Sequence, residues 1–280
     1  MPYAHNGDCD VYYETFGDPA NPTLLLVNGL GSQSINYKDA WCQMFADEGL
    51  HVVRYDNRDV GLSTKYEGAP VDDQNAAYRL SDMANDGMAV LDALGVERAH
   101  VMGLSMGGMI VQQMAIDHAD RLITMTSVMS STGEPDYRRS DPRAFELLTA
   151  PPATNREEYV QQWIDGLHVW GSPEFADEGR WRTDANAAFD RCFHPSGPVR
   201  QFFAVGASGS RADGLRDVKV PTLVMHGDKD TLIEPIGGER TAELIPGARY
   251  ELIEGMGHDY PPQLWRQWVD LVVGHIRKNS

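Results

Sequence analysis

The residues best placed to do chemistry are Ser105, His258 and Asp230, each in a short glycine-rich segment far from the others along the chain. Ser105 is the middle residue of Gly103-Leu104-Ser105-Met106-Gly107. An apolar run, His100-Val101-Met102, precedes this pentad, and a helical pattern from Gly108 to Met114 follows it. A sharp strand-to-helix turn crowds the backbone around its central residue, so the positions two away must be small. Such a turn lifts the serine oxygen into a cleft beside the positive end of a helix, where a developing oxyanion is stabilised. A lone hydroxyl is a weak nucleophile and needs a base. His258 supplies a candidate in Glu254-Gly255-Met256-Gly257-His258-Asp259, where two glycines let the loop fold back. The base in turn needs an orienting carboxylate. His226-Gly227-Asp228-Lys229-Asp230 offers two. Asp230 is preferred because a few residues beyond a strand end are needed to reach the histidine, with Asp228 in reserve as a turn residue bonding its own backbone. This chemistry is acyl transfer through a serine. Two backbone N–H groups must then hold the oxyanion: that of Met106, directly after the nucleophile, and that of Leu30 in Asn28-Gly29-Leu30-Gly31.

The elements that must position these groups are short β-branched or Leu-rich runs alternating with helical segments. The runs are 23–27, 51–55, 99–103, 122–128, 221–225 and 249–253. Several are apolar on both faces, as in a parallel sheet covered on both sides. Helical patterns cover 82–94, 107–118 and 237–244, and Gly95 stands where a helix should stop. Strand–helix alternation predicts a doubly wound, mostly parallel α/β sheet. In the opening segment, Val11, Tyr13 and Thr15 alternate with polar positions before a Gly-Asp-Pro turn, which predicts an antiparallel edge strand or hairpin. Between residues 133 and 217 the alternation stops, with seven prolines, Trp163, Trp170 and Trp181, and helical pieces at 156–167 and 184–193. That aromatic content excludes a linker. The expected division is a core of 1–132 and 218–280 with a helical cap at 133–217. At least two of the three tryptophans are expected to pack between helices rather than line a pocket. His168 and His194 are expected in packing or surface roles, and Asp56 and Arg58 are expected to close their turn as an ion pair.

The chain has 280 residues, with 24 Lys and Arg against 41 Asp and Glu, for a formal charge of −17. That balance argues against nucleic-acid and anionic membrane partners and fits a small-molecule substrate. The three cysteines, Cys9, Cys42 and Cys192, form no metal-ligand pattern and cannot make an even disulfide framework, which fits a reducing cytoplasm. The N-terminus lacks a basic start and apolar run, and no apolar stretch approaches a membrane span. No metal or cofactor is implied. The oligomeric state stays open.

The pentad around Ser105, the Asn28–Gly31 loop, the Asp56-Asn57-Arg58-Asp59-Val60-Gly61-Leu62-Ser63 turn, the HGDKD loop and the GMGH loop together resemble the α/β-hydrolase superfamily. The order Ser105, Asp230, His258 is the order of that superfamily. More narrowly, residues 21–63 and HVMGLSMGG are similar to the aclacinomycin methylesterase group of bacterial carboxylesterases. The resemblance implies an α/β-hydrolase fold with a helical cap that selects the substrate, and esterase activity on a small to medium, largely apolar ester. It also implies a departure, since many superfamily members have His-Gly where this chain has Asn28-Gly29. Ser105 argues against haloalkane dehalogenases and epoxide hydrolases, which use Asp at that position. A C–C bond hydrolase, a cofactor-free haloperoxidase and a slow-turnover ligand-binding protein use the same triad and remain alternatives.

Overall fold

A computed structural model describes residues 2–69, 75–137 and 139–280. Among these, eight strands form one sheet: β1 (Tyr3–Asn6), β2 (Cys9–Phe16), β3 (Thr23–Val27), β4 (His51–Tyr55), β5 (Ala99–Leu104), β6 (Leu122–Val128), β7 (Thr222–Gly227) and β8 (Arg249–Ile253). Their spatial order is β1-β2-β4-β3-β5-β6-β7-β8. The first two pairings in that order, β1 with β2 and β2 with β4, are antiparallel. Every later pairing is parallel. The expected edge hairpin and parallel interior are both present.

The apolar-on-both-faces runs have a direct structural cause. Side chains alternate across a strand. Leu25, Val27, Val53 and Val101 enter a core on one face, with α2 (Leu80–Ala93) and α3 (Met106–Asp117). Leu24, Leu26, Val52 and Met102 enter a second core on the other face. Its cover is α1 (Asp39–Asp47) and α10 (Trp265–Asn279). There Trp41 stacks on Trp265, with ring centroids 5.6 Å apart and planes 6° from parallel.

Between β6 and β7 the described residues contain helices and no strand: α4 (Pro142–Leu148), α5 (Arg156–Trp170), α6 (Glu178–Arg191), α7 (Ser196–Ser208) and the short α8 (Ala212–Leu215). Ala212 and Leu215 of α8 are already buried in the core that α3 helps form. The last helix before α10, α9 (Ile236–Leu244), follows β7.

The turn after β4 corrects one expectation. Asp56 and Arg58 do not pair with each other. Arg58 reaches Asp86 of α2, with Nε to Oδ2 and Nη2 to Oδ1 both at 2.7 Å. Asp56 instead accepts from Arg191 of α6 at 2.8 Å and from the Ser34 amide at 2.6 Å. Asp59, in the left-handed region at φ 72°, takes a two-pronged bond from Arg200 of α7 at 2.9 and 2.8 Å. Successive side chains of a tight turn diverge, so these charges find long-range partners instead of one another. The turn therefore fastens α2, α6 and α7 together.

A buried cation that loses its partner is costly. The Asp86→Ala variant, which strands Arg58, should lose about 3–5 kcal/mol in urea unfolding. Asp86→Leu combined with Arg58→Met should recover most of that loss, and equal losses in the single and double variants would refute the pairing energy.

Candidate active site

Ser105 sits between β5 and α3 with φ 55° and ψ −117°, a backbone conformation disfavoured for a residue with a side chain. Close packing enforces it. A Cβ on Gly103 would lie 2.0 Å from the Gly107 carbonyl oxygen, and one on Gly107 would lie 2.1 Å from the Val27 carbonyl oxygen of β3. The Ser105 amide donates to the Val128 carbonyl of β6 at 2.9 Å, and Ser130 Oγ donates to the Ser105 carbonyl at 2.8 Å. The two glycines are therefore needed to close the turn on itself and to seat it against β3, while the Ser105 amide ties it to β6.

The three candidate side chains meet at the C-terminal edge of the sheet. Ser105 Oγ lies 2.9 Å from His258 Nε2. His258 Nδ1 donates to Asp230 Oδ2 at 2.6 Å, which leaves Nε2 as the acceptor for the serine proton. The other carboxylate oxygen, Oδ1, accepts the Leu232 and Ile233 amides, each at 2.9 Å. Asp230 is fully buried. Burial alone would raise its carboxyl, but the His258 charge and the hydrogen bonds from His226 and His258 outweigh it and hold the group at about 2. Asp228 does something else: it accepts the Gly255 amide at 2.7 Å and pairs with Lys229 at 2.8 Å. It clamps the loop after β7 to the loop after β8, while Asp230 faces the histidine.

The His258 loop is fixed from the helical side. The His258 amide donates to the Trp170 carbonyl at the end of α5 at 2.5 Å. A Cβ on Gly257 would fall 2.4 Å from that same carbonyl oxygen, so glycine is required for the approach. Asp259 accepts the Ser172 amide at 2.9 Å and also its hydroxyl.

Leu30 and Met106 lie in the wall of the cavity that Ser105 and His258 also line, a space of about 890 Å³ between the sheet edge and α4–α7. Its surface is mostly apolar. Two of the three tryptophans pack between helices as expected, Trp181 with Val160, Ile164 and Ala185 and Trp163 against the same cluster, but all three, Trp170 included, also contribute to the cavity lining. An apolar helix face reads the same in sequence whether it meets another helix or an empty cavity. His168 lies at the surface near Glu178, and His194 packs beside Arg200 and Asp59, both in structural roles.

A match to the alpha/beta hydrolase fold family model runs over residues 22–260. The chain belongs to the alpha/beta hydrolase fold family. Among its relatives, rhodomycin D methylesterase DauP of Streptomyces sp. strain C5 is 29% identical, with 95% of this chain and 95% of that protein aligned. The putative carbamate hydrolase RutD of Azorhizobium caulinodans is 30% identical over 93% of this chain and 92% of its own. Of solved structures, Est816, described as an N-acyl homoserine lactone degrading enzyme, superposes with a TM-score of 0.74 at 26% identity, covering 98% of this chain and 99% of that one. A meta-cleavage product hydrolase from Pseudomonas fluorescens IP01 superposes with a TM-score of 0.81 at 16% identity, covering 100% of this chain and 98% of that one, a likeness of fold.

Residues that sequence reasoning passed over also reach the site. His226 at the end of β7 lies with Nε2 3.3 Å from Asp230 Oδ2 and donates to the Ile233 carbonyl at 2.8 Å, bracing the carboxylate loop. Gln201 of α7 accepts the Gly31 amide at 2.8 Å, next to Leu30. No local signal marks either one.

A carboxylate depressed on folding stabilises the fold above its ordinary value near 3.9, and that contribution is lost as pH falls towards about 2. In urea unfolding at stepped pH, the wild type should lose stability through this window on account of Asp230, and Asp230→Asn should show a flatter acid limb. Superimposable limbs would contradict the assigned electrostatics.

Proposed function

We propose that the protein is a serine hydrolase that cleaves carboxylic esters, methyl esters among them, of small to medium and largely apolar acids. The observation that carries this reading is the hydrogen-bonded line Ser105–His258–Asp230 opening onto the apolar cavity of about 890 Å³. In the first step Ser105 Oγ attacks the ester carbonyl carbon, and its proton passes to His258 Nε2. The imidazolium that forms is held by the buried Asp230 carboxylate. The amides of Leu30 and Met106 receive the tetrahedral oxyanion, and His258 returns the proton to the departing alcohol. Water then attacks the acyl-enzyme with His258 as base, releasing the acid and restoring Ser105.

The rhodomycin D methylesterases support the methyl-ester reading, since their named activity is on a methyl ester, whose leaving alcohol is small. In this reading the helices of 133–217 form a cap over a core of 1–132 and 218–280, with α8 as its return to the core. The cap supplies Trp163, Trp170 and Trp181 and so selects the acid part of the substrate. Free thiols at Cys9, Cys42 and Cys192 fit a reducing cytoplasm. Among the described residues no helix is long and apolar enough to cross a membrane.

Hydrolysis of short-chain p-nitrophenyl esters by the purified protein tests the nucleophile. Ser105→Ala should lower kcat by at least ~10³-fold, and a rate equal to wild type would sink the assignment. Asp230→Asn should cost far more activity than Asp228→Asn, because Asp228 only joins two loops. Methyl esters of bulky aromatic acids should be turned over repeatedly; release of one equivalent per protein molecule would favour a ligand-binding protein instead.

A further inference from the structure

The departure at Asn28 has a structural counterpart. Asn28 is 1% exposed and lines the cavity, yet neither its Oδ1 nor its Nδ2 has a hydrogen-bond partner among the described residues. Its side chain therefore does not brace the loop that carries Leu30. Only its backbone carbonyl is held, accepting Asn57 Nδ2 at 3.0 Å. The next three residues include Gly29 and Gly31, the latter at φ 70°, so this stretch has little side-chain material with which to fix itself.

One backbone bond closes the loop on itself, the Ser32 amide donating to the Gly29 carbonyl at 3.2 Å, and the side-chain brace comes from outside. Gln201, buried on α7, accepts the Gly31 amide through Oε1 at 2.8 Å and donates through Nε2 to the Arg58 carbonyl at 2.8 Å. One side chain thus ties the Leu30 loop to the turn that Arg200, on the same helix, grips through Asp59. Pro198, three residues earlier on α7, faces Gly31 as well: a Cβ there would stand 3.2 Å from Pro198 Cγ. With the Gly31 amide engaged by Gln201, it is not offered to a substrate, and the peptide plane just after Leu30 is set by a residue of the helical insertion.

The geometry points to Gln201 as the positioning residue of the oxyanion hole, so that the Leu30 amide takes its aim only while α7 is seated on the core. This inference rests on the reading of Ser105 as a nucleophile. Oxyanion stabilisation depends on donors fixed in advance, and a donor free to swing loses most of its advantage. Gln201 touches no reacting atom, so its removal should act on kcat and leave ground-state binding nearly intact.

Two readouts separate this inference from the esterase reading. Fluorophosphonate labelling of Ser105, followed by intact mass, reports nucleophile and oxyanion hole without any carboxylic ester; p-nitrophenyl ester turnover reports the reaction. The variants are Gln201→Met, which loses both hydrogen bonds at similar volume, and Gln201→Glu, which keeps the acceptor for Gly31. Lys38→Met serves as a comparison, since it breaks a different tie to the helical insertion, the 2.9 Å pair with Asp184. Gln201→Met should lower both the labelling rate and kcat by about 10- to 100-fold with KM little changed. Gln201→Glu should recover much of that loss, and Lys38→Met should lose far less than Gln201→Met. Wild-type rates in a folded Gln201→Met protein would overturn the inference. So would equal losses in Gln201→Met and Lys38→Met, which would reduce Gln201 to general anchoring. Should the wild type be labelled but turn over no ester, the esterase reading fails while the labelling ratio still decides the role of Gln201. A wild type that is never labelled removes the nucleophile and this inference with it.

Discussion

Ser105 occupies a backbone conformation that a residue with a side chain adopts at a cost of about 1–3 kcal/mol, and it persists only because its surroundings leave no alternative. β5 must come within van der Waals contact of the first turn of α3, and α3 must come equally close to the end of β3. Both approaches exclude any side chain at Gly103 and Gly107. The strand order is compatible with this requirement. β5 lies between β3 and β6, so the serine emerges beside the glycine loop that follows β3 and is held by the carbonyl of Val128 at the end of β6. Parallel strands bring the loops after β7 and β8 to the same edge, where they deliver Asp230 and His258. Two apolar cores, one on each face of the sheet, supply the rigidity that keeps the turn closed.

Polar contacts then fix the second half of the site. The segment from Asp56 to Ser63 is a buried junction where each charged side chain has a partner on a different helix: Asp86 on α2, Arg191 on α6, Arg200 on α7. Buried ion pairs contribute modestly to net stability, but they penalise any arrangement in which one partner is lost. Their effect here is positional. The helices that wall the cavity are keyed to the same core turn that supports the loop bearing Leu30.

Much of this was legible from residue types alone. The strand runs, the glycine-flanked serine and the histidine loop are local features whose geometry follows from sterics over five or six neighbouring residues. Asp230 could be preferred over Asp228 by distance from the strand end, but the separation of their roles depends on the Leu232 and Ile233 amides closing back onto one carboxylate. The partners of Asp56, Arg58 and Asp59 were not legible, because they come from helices remote in the chain, and charge alone does not say which arginine meets which aspartate. That Trp163 and Trp181 would pack between helices and also face the cavity was half legible: apolar periodicity reports which face avoids water, not whether that face meets atoms or a void. Gln201 carried no signal at all, since an isolated glutamine on a helix usually faces solvent.

The helices lining the cavity leave the sheet after β6 and return at β7, and these two strands are hydrogen-bonded neighbours. Such an excursion starts and ends within one pair of adjacent strands, so its length and shape can vary without altering strand order or the elbow. That topology makes the segment separable from the sheet, free to change length while the edge that carries Ser105, Asp230 and His258 keeps its strand order. The limit on that freedom is narrow and concrete. In this chain the segment meets the core through a polar side chain on the amide of Gly31 and cations on Asp56 and Asp59, contacts that a replacement would have to supply again to keep the same seating.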